Sequence, residues 1–142
     1  MKQKILVCIT IQQNSRRLIK KGAELAEQLG GELHILHVEQ GNNILSKNDT
    51  GELLQELFDY ASKLGAEVHV VCDDNVPERI VSFIREHNIT ELVLGETMKN
   101  KIYRLLTNDI ASYIASTTPE VEVIVLEREK KLNVKDQEAF SS

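Results

Sequence analysis

The chain has 142 residues, a formal net charge of -5, a hydrophobic fraction of 42% and a charged fraction of 27%. That length suits one domain with a single well-buried core, and the acidic balance gives no electrostatic footprint for DNA or RNA. No apolar run approaches the length of a bilayer span, so the chain is not expected to enter a membrane by itself.

The opening stretch, "MKQKILVCIT", sets basic residues before a short apolar run. It lacks a small-residue cleavage site and passes straight into a patterned helix, so it reads as a first strand and not as a signal peptide. "KILVCIT" is apolar on both faces, as a central parallel strand should be. The next segment, "SRRLIKKGAELAEQLG", carries an apolar stripe of Leu18, Ile19, Ala23, Leu25, Ala26 and Leu29. Asn14 or Ser15 is available as its cap, and Gly30 closes it.

"ELHILHV" is the second strand, "EQGNNILSKNDTG" a polar loop, and "ELLQELFDYASKLG" a second helix ended by Gly65. "EVHVVC" follows as the third strand, then "VPERIVSFIREHN" as a third helix with Pro77 in its first turn. "ELVLG" is the fourth strand, "LLTNDIASYIAST" a fourth helix with Thr107 or Asn108 as its cap, and "VEVIVLE" the fifth strand. The remainder, 128–142, mixes charges without a pattern and reads as a loose tail behind a domain of residues 1–127. Cys8 and Cys72 lie in strand-like runs without metal-knuckle spacing and are expected to be buried, reduced thiols of a cytoplasmic protein.

Strands alternating with helices imply a parallel sheet with right-handed crossovers and helices on both faces. In such sheets ligands bind beyond the carboxyl ends of the strands, where the winding reverses. With the first strand central and the fourth beside it, that crevice lies between Thr10 and Gly95. "LGGELHILHV" also recurs as "LGAEVHVVCD", aligning His34 with His69. A shared helix, glycine stop and buried strand accounts for the echo, and the other units do not repeat it.

The run "ILVCITIQQNSRRLIKKGAELAEQLGGELHILHVE" resembles the start of a universal stress protein domain, and within that family the branch found in KdpD-type potassium sensor kinases. "EHNITELVLGETMKNKIYRLLTNDIASYI" fits the same branch in register. The resemblance implies a five-stranded Rossmann-like sandwich of the adenine nucleotide alpha hydrolase type, strand order 3-2-1-4-5. It also implies homodimers, a stress-response or signalling role, and adenine-nucleotide binding where the loop is complete. That loop has a Gly-x-x-Gly turn and a later Gly-Ser or Gly-Thr pair. Here Gly95 supplies the first glycine, Met98 replaces the second, and Asn108-Asp109 replace the final pair. The aspartate that ends the first strand in nucleotide-binding relatives is Thr10.

Glycines let backbone N–H groups close on phosphate oxygens. Met98 obstructs that approach, Asn108 tolerates left-handed geometry only in part, and Asp109 sets a negative charge where a hydroxyl would donate. Like charges about 4 Å apart repel by about 1 kcal/mol even at bulk-water dielectric. ATP in the usual mode is therefore disfavoured, and the cofactor is left unassigned. Lys99, Lys101 and Arg104 either hold an anion with their side chains or form an ordinary solvated surface. The candidate ligand set is Thr10, Gln12, Val38, Gly95, Lys99, Lys101, Arg104 and Asn108.

His34 and His37 point to opposite faces of one strand and cannot share an ion. His34 and His69 are candidates for neighbours on adjacent strands, but no Cys, Asp or Glu is identified to complete a site, so no metal is expected. His87 falls at a helix end, where a C-terminal role suffices. Asp73-Asp74 closes the third strand as a phosphoacceptor would, but Thr10-Ile11-Gln12 and Leu126-Glu127 lack the acids and lysine of that chemistry. A turn and a cap for the third helix are expected there instead. No Gly-x-Ser-x-Gly elbow or Gly-Lys-Ser/Thr loop is present, so no catalytic residue is assigned.

The fifth strand, with Val121, Val123 and Val125, is a sheet edge suited to pairing with a second copy in a two-fold dimer. The expectation is a non-enzymatic regulatory domain, either free or acting as an input segment to a sensor kinase. The alternative is an adenine-nucleotide binder for ATP, AMP or a cyclic dinucleotide, since some relatives in this branch bind cyclic di-AMP.

Overall fold

The computed structural model describes residues 2–11, 14–40, 48–95 and 110–126, with 48–50 as backbone alone. Its elements are β1 (Lys4–Cys8), α1 (Ser15–Leu29), β2 (Glu32–Glu39), α2 (Asn48–Lys63), β3 (Glu67–Cys72), α3 (Val76–His87), β4 (Glu91–Gly95), α4 (Ile110–Thr117) and β5 (Glu122–Leu126). The strands form one five-stranded sheet in the order β3-β2-β1-β4-β5, and every pairing is parallel. The expected fold class and strand order are both observed.

Alternation along β1 sorts its side chains to two cores. Leu6 and Cys8 join Leu36, Leu92 and Leu94 beneath Ile80, Phe83 and Ile84 of α3 and Ile110 and Ile114 of α4. Ile5, Val7 and Ile9 join Ile35 and Val93 beneath Leu18, Ile19 and Ala26 of α1 and Leu57 and Ala61 of α2. All five residues of β4 are buried. Its first, Glu91, is a buried carboxylate, and it accepts from the Thr90 hydroxyl at 2.8 Å. With its amide nitrogen facing this carboxylate, Gln3 donates to it at 2.5 and 2.9 Å.

Local signals acted as the residue types dictate where these helices stop. Gly30 takes a left-handed φ of 62° after α1, and Asn88 one of 54° after α3. Several local expectations are corrected. The first concerns α1, because Asn14 has φ -63° and ψ -15° and makes no side-chain cap bond. That backbone is already helical, and a capping side chain needs an extended one. Ser15 does not cap either, because its hydroxyl donates to the Thr10 carbonyl at 2.5 Å.

The second concerns α2, which starts at Asn48 and takes in residues assigned to the loop. Asn, Asp and Thr are favoured in a first turn as well as in loops, so composition does not separate the two. In the third case Asn75, and not Asp73 or Asp74, caps α3 by accepting from the Glu78 N–H at 3.3 Å. Asp73 makes the turn before it, accepting from the Asn75 N–H at 2.9 Å. Lastly, Cys72 is exposed while Cys8 is buried, because Cys72 ends β3, an edge strand. Leu29, read as part of the apolar stripe of α1, is 42% exposed.

The tightest contact in the sandwich is α1 against β1. A Cβ added at Gly22 would collide with the Val7 Cγ2 methyl and lie 3.1 Å from Leu33 Cδ1. Val7 is β-branched and fully buried, so it cannot turn aside. Gly22→Ala should therefore cost about 1–3 kcal/mol through overpacking, despite a helix-propensity gain of up to about 1 kcal/mol. A lowered urea midpoint with unchanged m-value would show it.

Candidate functional site

The carboxyl end of the sheet, where the topology leads one to expect a ligand, is bounded among the described residues by the ends of β1, β2 and β4. Beyond β1 the chain stays tied to β2, since the Ile9 N–H donates to the Leu36 carbonyl at 3.0 Å. Thr10 then turns towards α1 and its carbonyl receives the Ser15 hydroxyl. Val38 is half-buried against the α3 side of the core. Gly95 closes β4, opposite Leu126 of β5. The topology thus brings Thr10, Val38 and Gly95 to one end of the sheet. Gln12, Lys99, Lys101, Arg104 and Asn108, with Met98 and Asp109, lie outside the described residues.

Gly95 has a packing role of its own. A Cβ there would sit 3.0 Å from Leu18 Cδ1, so the glycine lets α1 lie against the end of β4. Since the obstacle is the end of a flexible side chain, Gly95→Ala is expected to cost about 1 kcal/mol by chemical denaturation. A loss of about 3 kcal/mol or more would point to a backbone requirement beyond this packing.

The same end holds His37, which sequence reasoning treated as structural. It is buried, and its Nδ1 lies 3.0 Å from the Ile9 carbonyl. A carbonyl only accepts, so Nδ1 carries a proton. Its Nε2 lies 2.6 Å from Glu39 Oε2. The pair clips the ends of β1 and β2 together. Glu39, Asp73 and Asp74 give the described rim near β2 and β3 an acidic bias. Burial pushes the Cys8 thiol above its usual range, so it is not a nucleophile at neutral pH.

A second cluster sits at the opposite, amino end of the sheet. The β2–β3 register sets His34 beside Glu67 and Leu36 beside His69. His34 Nδ1 lies 3.3 Å from His69 Nε2, and Glu67 lies 3.7 Å from the former and 3.8 Å from the latter. Glu67 thus supplies the acidic neighbour that sequence reasoning did not find for this pair. The overlooked signal is the repeated Glu-x-His, Glu32-Leu33-His34 and Glu67-Val68-His69. Burial holds His69 below the ordinary imidazole range, against the opposing pull of Glu67. Phe83 and His87 stack above at a centroid distance of 3.8 Å. A groove of about 770 Å³ between the ends of α1 and α2 is lined in part by Lys20, Glu24, Tyr60, His34 and Glu67.

Comparison with known proteins separates family from fold. The profile of the universal stress protein family matches residues 1–126. The chain belongs to the universal stress protein family. Among curated proteins, this universal stress protein domain is 26% identical over 122 residues to the sensor protein KdpD of Mycobacterium tuberculosis (strain CDC 1551 / Oshkosh). That match covers 86% of this chain and 14% of the relative. It is 29% identical over 126 residues to a putative sensor protein KdpD of Synechocystis, covering 87% of this chain and 33% of the relative. The domain therefore spans a third or less of the length of these relatives.

Two solved structures show the same fold. A universal stress protein in complex with cAMP superposes with a TM-score of 0.68 at 18% identity, covering 90% of this chain and 98% of that one. The universal stress protein of Archaeoglobus fulgidus in complex with dAMP gives 0.60 at 21% identity, covering 87% and 96%. No helix among the described residues is long and apolar enough to cross a membrane.

Proposed function

We propose that this chain is a non-enzymatic, regulatory universal stress protein domain of the KdpD-like type, cytoplasmic, passing a signal to a partner such as a sensor kinase. The observation that carries this reading is the match to KdpD sensor proteins over 86–87% of the chain. The state of the crevice supports it. Thr10 stands where nucleotide-binding relatives have an acid, and its carbonyl is engaged by Ser15. Gly95 has a packing reason of its own, and the sequence beyond it carries no further glycine.

ATP should bind weaker than about 0.1 mM, less than roughly 5.5 kcal/mol of standard free energy. Isothermal titration with ATP, after mass spectrometry of the purified protein for retained nucleotide, measures this. Tight ATP binding that is lost in Lys99→Ala or Arg104→Ala would overturn the proposal.

Adenine-nucleotide binding is the second reading, favoured by the fold neighbours solved with cAMP and dAMP. A single phosphate asks less of the residues after Gly95 than a triphosphate does. In this mode the binder uses Thr10, Val38 and Gly95 with the nearby cations Lys99, Lys101 and Arg104, and Gln12 and Asn108 are the remaining candidates. AMP, cAMP and cyclic di-AMP titrated beside ATP separate the two readings, because only this one expects saturable binding of a monophosphate.

The partner surface for a second copy is the β5 edge. Val123 and Val125 are half-buried against the α3 and α4 side, and Val121 is buried just before the strand. The outward backbone groups of Val123 and Val125 lie on the free edge of the sheet among the described residues, the kind that adds a strand from another chain. Light scattering should give a dimer at tens of micromolar protein. A strict monomer at high micromolar concentration would remove this interface. Residues 1–127 are proposed as the folded unit, with 128–142 as a tail dispensable for it. Truncation after residue 127 should leave thermal stability unchanged.

A further inference from the structure

We propose that His34, Glu67 and His69 form a binding site for a divalent late first-row transition ion, zinc above all, at the amino end of β2 and β3. The site is distinct from the crevice at the carboxyl end. It is independent of the function proposed above.

Donor spacing is the first argument. One ligand atom from each of the three residues lies within 4.8 Å of the others. The nitrogen–nitrogen distance is 3.3 Å, and the carboxylate stands 3.7 and 3.8 Å from the two nitrogens. Bonds of about 2.0–2.1 Å to a tetrahedral ion set the donors about 3.3–3.4 Å apart. The two imidazoles are already at that separation. The Glu67 side chain is 66% exposed, so a small rotation brings it in without disturbing the core.

The second argument is what these atoms do otherwise. Two ring nitrogens facing each other at 3.3 Å are further apart than the roughly 2.9–3.0 Å usual for an N–H···O bond. Only one of them can donate to the other when both rings are neutral. Glu67 is too far from either for a hydrogen bond. An ion between the three satisfies two lone pairs and a carboxylate together, and the imidazole–carboxylate set suits zinc.

The third argument comes from the far side of His34. Its Nε2 is buried without a hydrogen-bond partner, although Glu32 Oε1 lies 3.4 Å away, within ion-pair range but outside hydrogen-bond geometry. Metal on Nδ1 fixes the proton on Nε2 and directs it at Glu32. A carboxylate behind a ligating histidine orients the ring and raises its basicity. Glu32 is itself held by Lys2 Nζ at 3.7 Å. The His34 ring is further fixed by burial and by edge contacts to Phe83 and His87. His87 Nδ1 donates to the Phe83 carbonyl at 3.1 Å, which orients this roof. Three protein donors leave a fourth position, and the partly exposed His69 and Glu67 open it to water or to a group from a partner.

The test uses the untagged full chain, stripped with chelator and titrated with Zn²⁺ by calorimetry and with Co²⁺ by visible absorption. A single ion per chain, a raised thermal midpoint and the intense visible bands of four-coordinate cobalt are expected. Glu67→Gln should weaken Zn²⁺ affinity by at least about tenfold, and His69→Gln should abolish the cobalt bands. His37→Gln, altered at the other end of β2, should retain both signals. Glu67 and His69 stand on an edge strand, so these variants are expected to fold, as circular dichroism would verify. Absence of saturable binding up to about 0.1 mM Zn²⁺, or binding undiminished in Glu67→Gln and His69→Gln, would overturn the proposal.

Discussion

The close seating of α1 on the two central strands is the constraint from which the rest of the structure follows. Gly22 removes a side chain where the helix backbone meets Val7, and Gly95 removes one where Leu18 comes down on the end of β4. With the helix this close, Leu18, Ile19 and Ala26 pack into one core with Val7, Leu33, Ile35 and Val93. Parallel strands covered on both faces can then be apolar throughout, and the sheet needs no polar face. The same seating sets Thr10 and Gly95 at one end of adjacent strands, where a doubly wound sheet binds its ligands.

Among the described residues, that end is held by internal bonding. The Thr10 carbonyl, the Ile9 carbonyl and the Glu39 carboxylate each have a partner within the chain. Asp73 is engaged in the turn that leads into α3. These bonds tie the described ends of β1 and β2 together, and Glu39, Asp73 and Asp74 give the described rim an acidic character.

The amino end has the opposite character. There the recurring Glu-x-His of two successive strands meets across a parallel ladder with a stagger of two residues, so that His34 aligns with Glu67 and not with His69. A period of two preserves the face, and all four side chains stay on one side of the sheet. The stagger converts a repeat into a mixed cluster in which imidazole faces imidazole and carboxylate together. Charge and burial are balanced unevenly across it: His34 is buried, while Glu67 stands in solvent at the edge. An edge strand makes such a cluster reachable, which a central strand would not.

The sequence alone determined the fold class, because apolar runs of strand length between helical periodicities leave few packings beyond a parallel sheet with helices on both sides. It also determined the helix stops at Gly30 and Gly65, where local backbone geometry decides without help from neighbours. The placement of Thr10, Val38 and Gly95 at one end of the sheet was legible for the same reason, since it depends on topology alone. Tertiary structure decided what depends on distance through space. It reassigned Ser15 from helix cap to the partner of Thr10, and it left Cys72 exposed because an edge strand lacks a second neighbour. It gave Gly95 a packing purpose that its motif position concealed. It also joined Glu67 to His34 and His69, because strand register is fixed by the pairing of two distant segments and by no feature of either one.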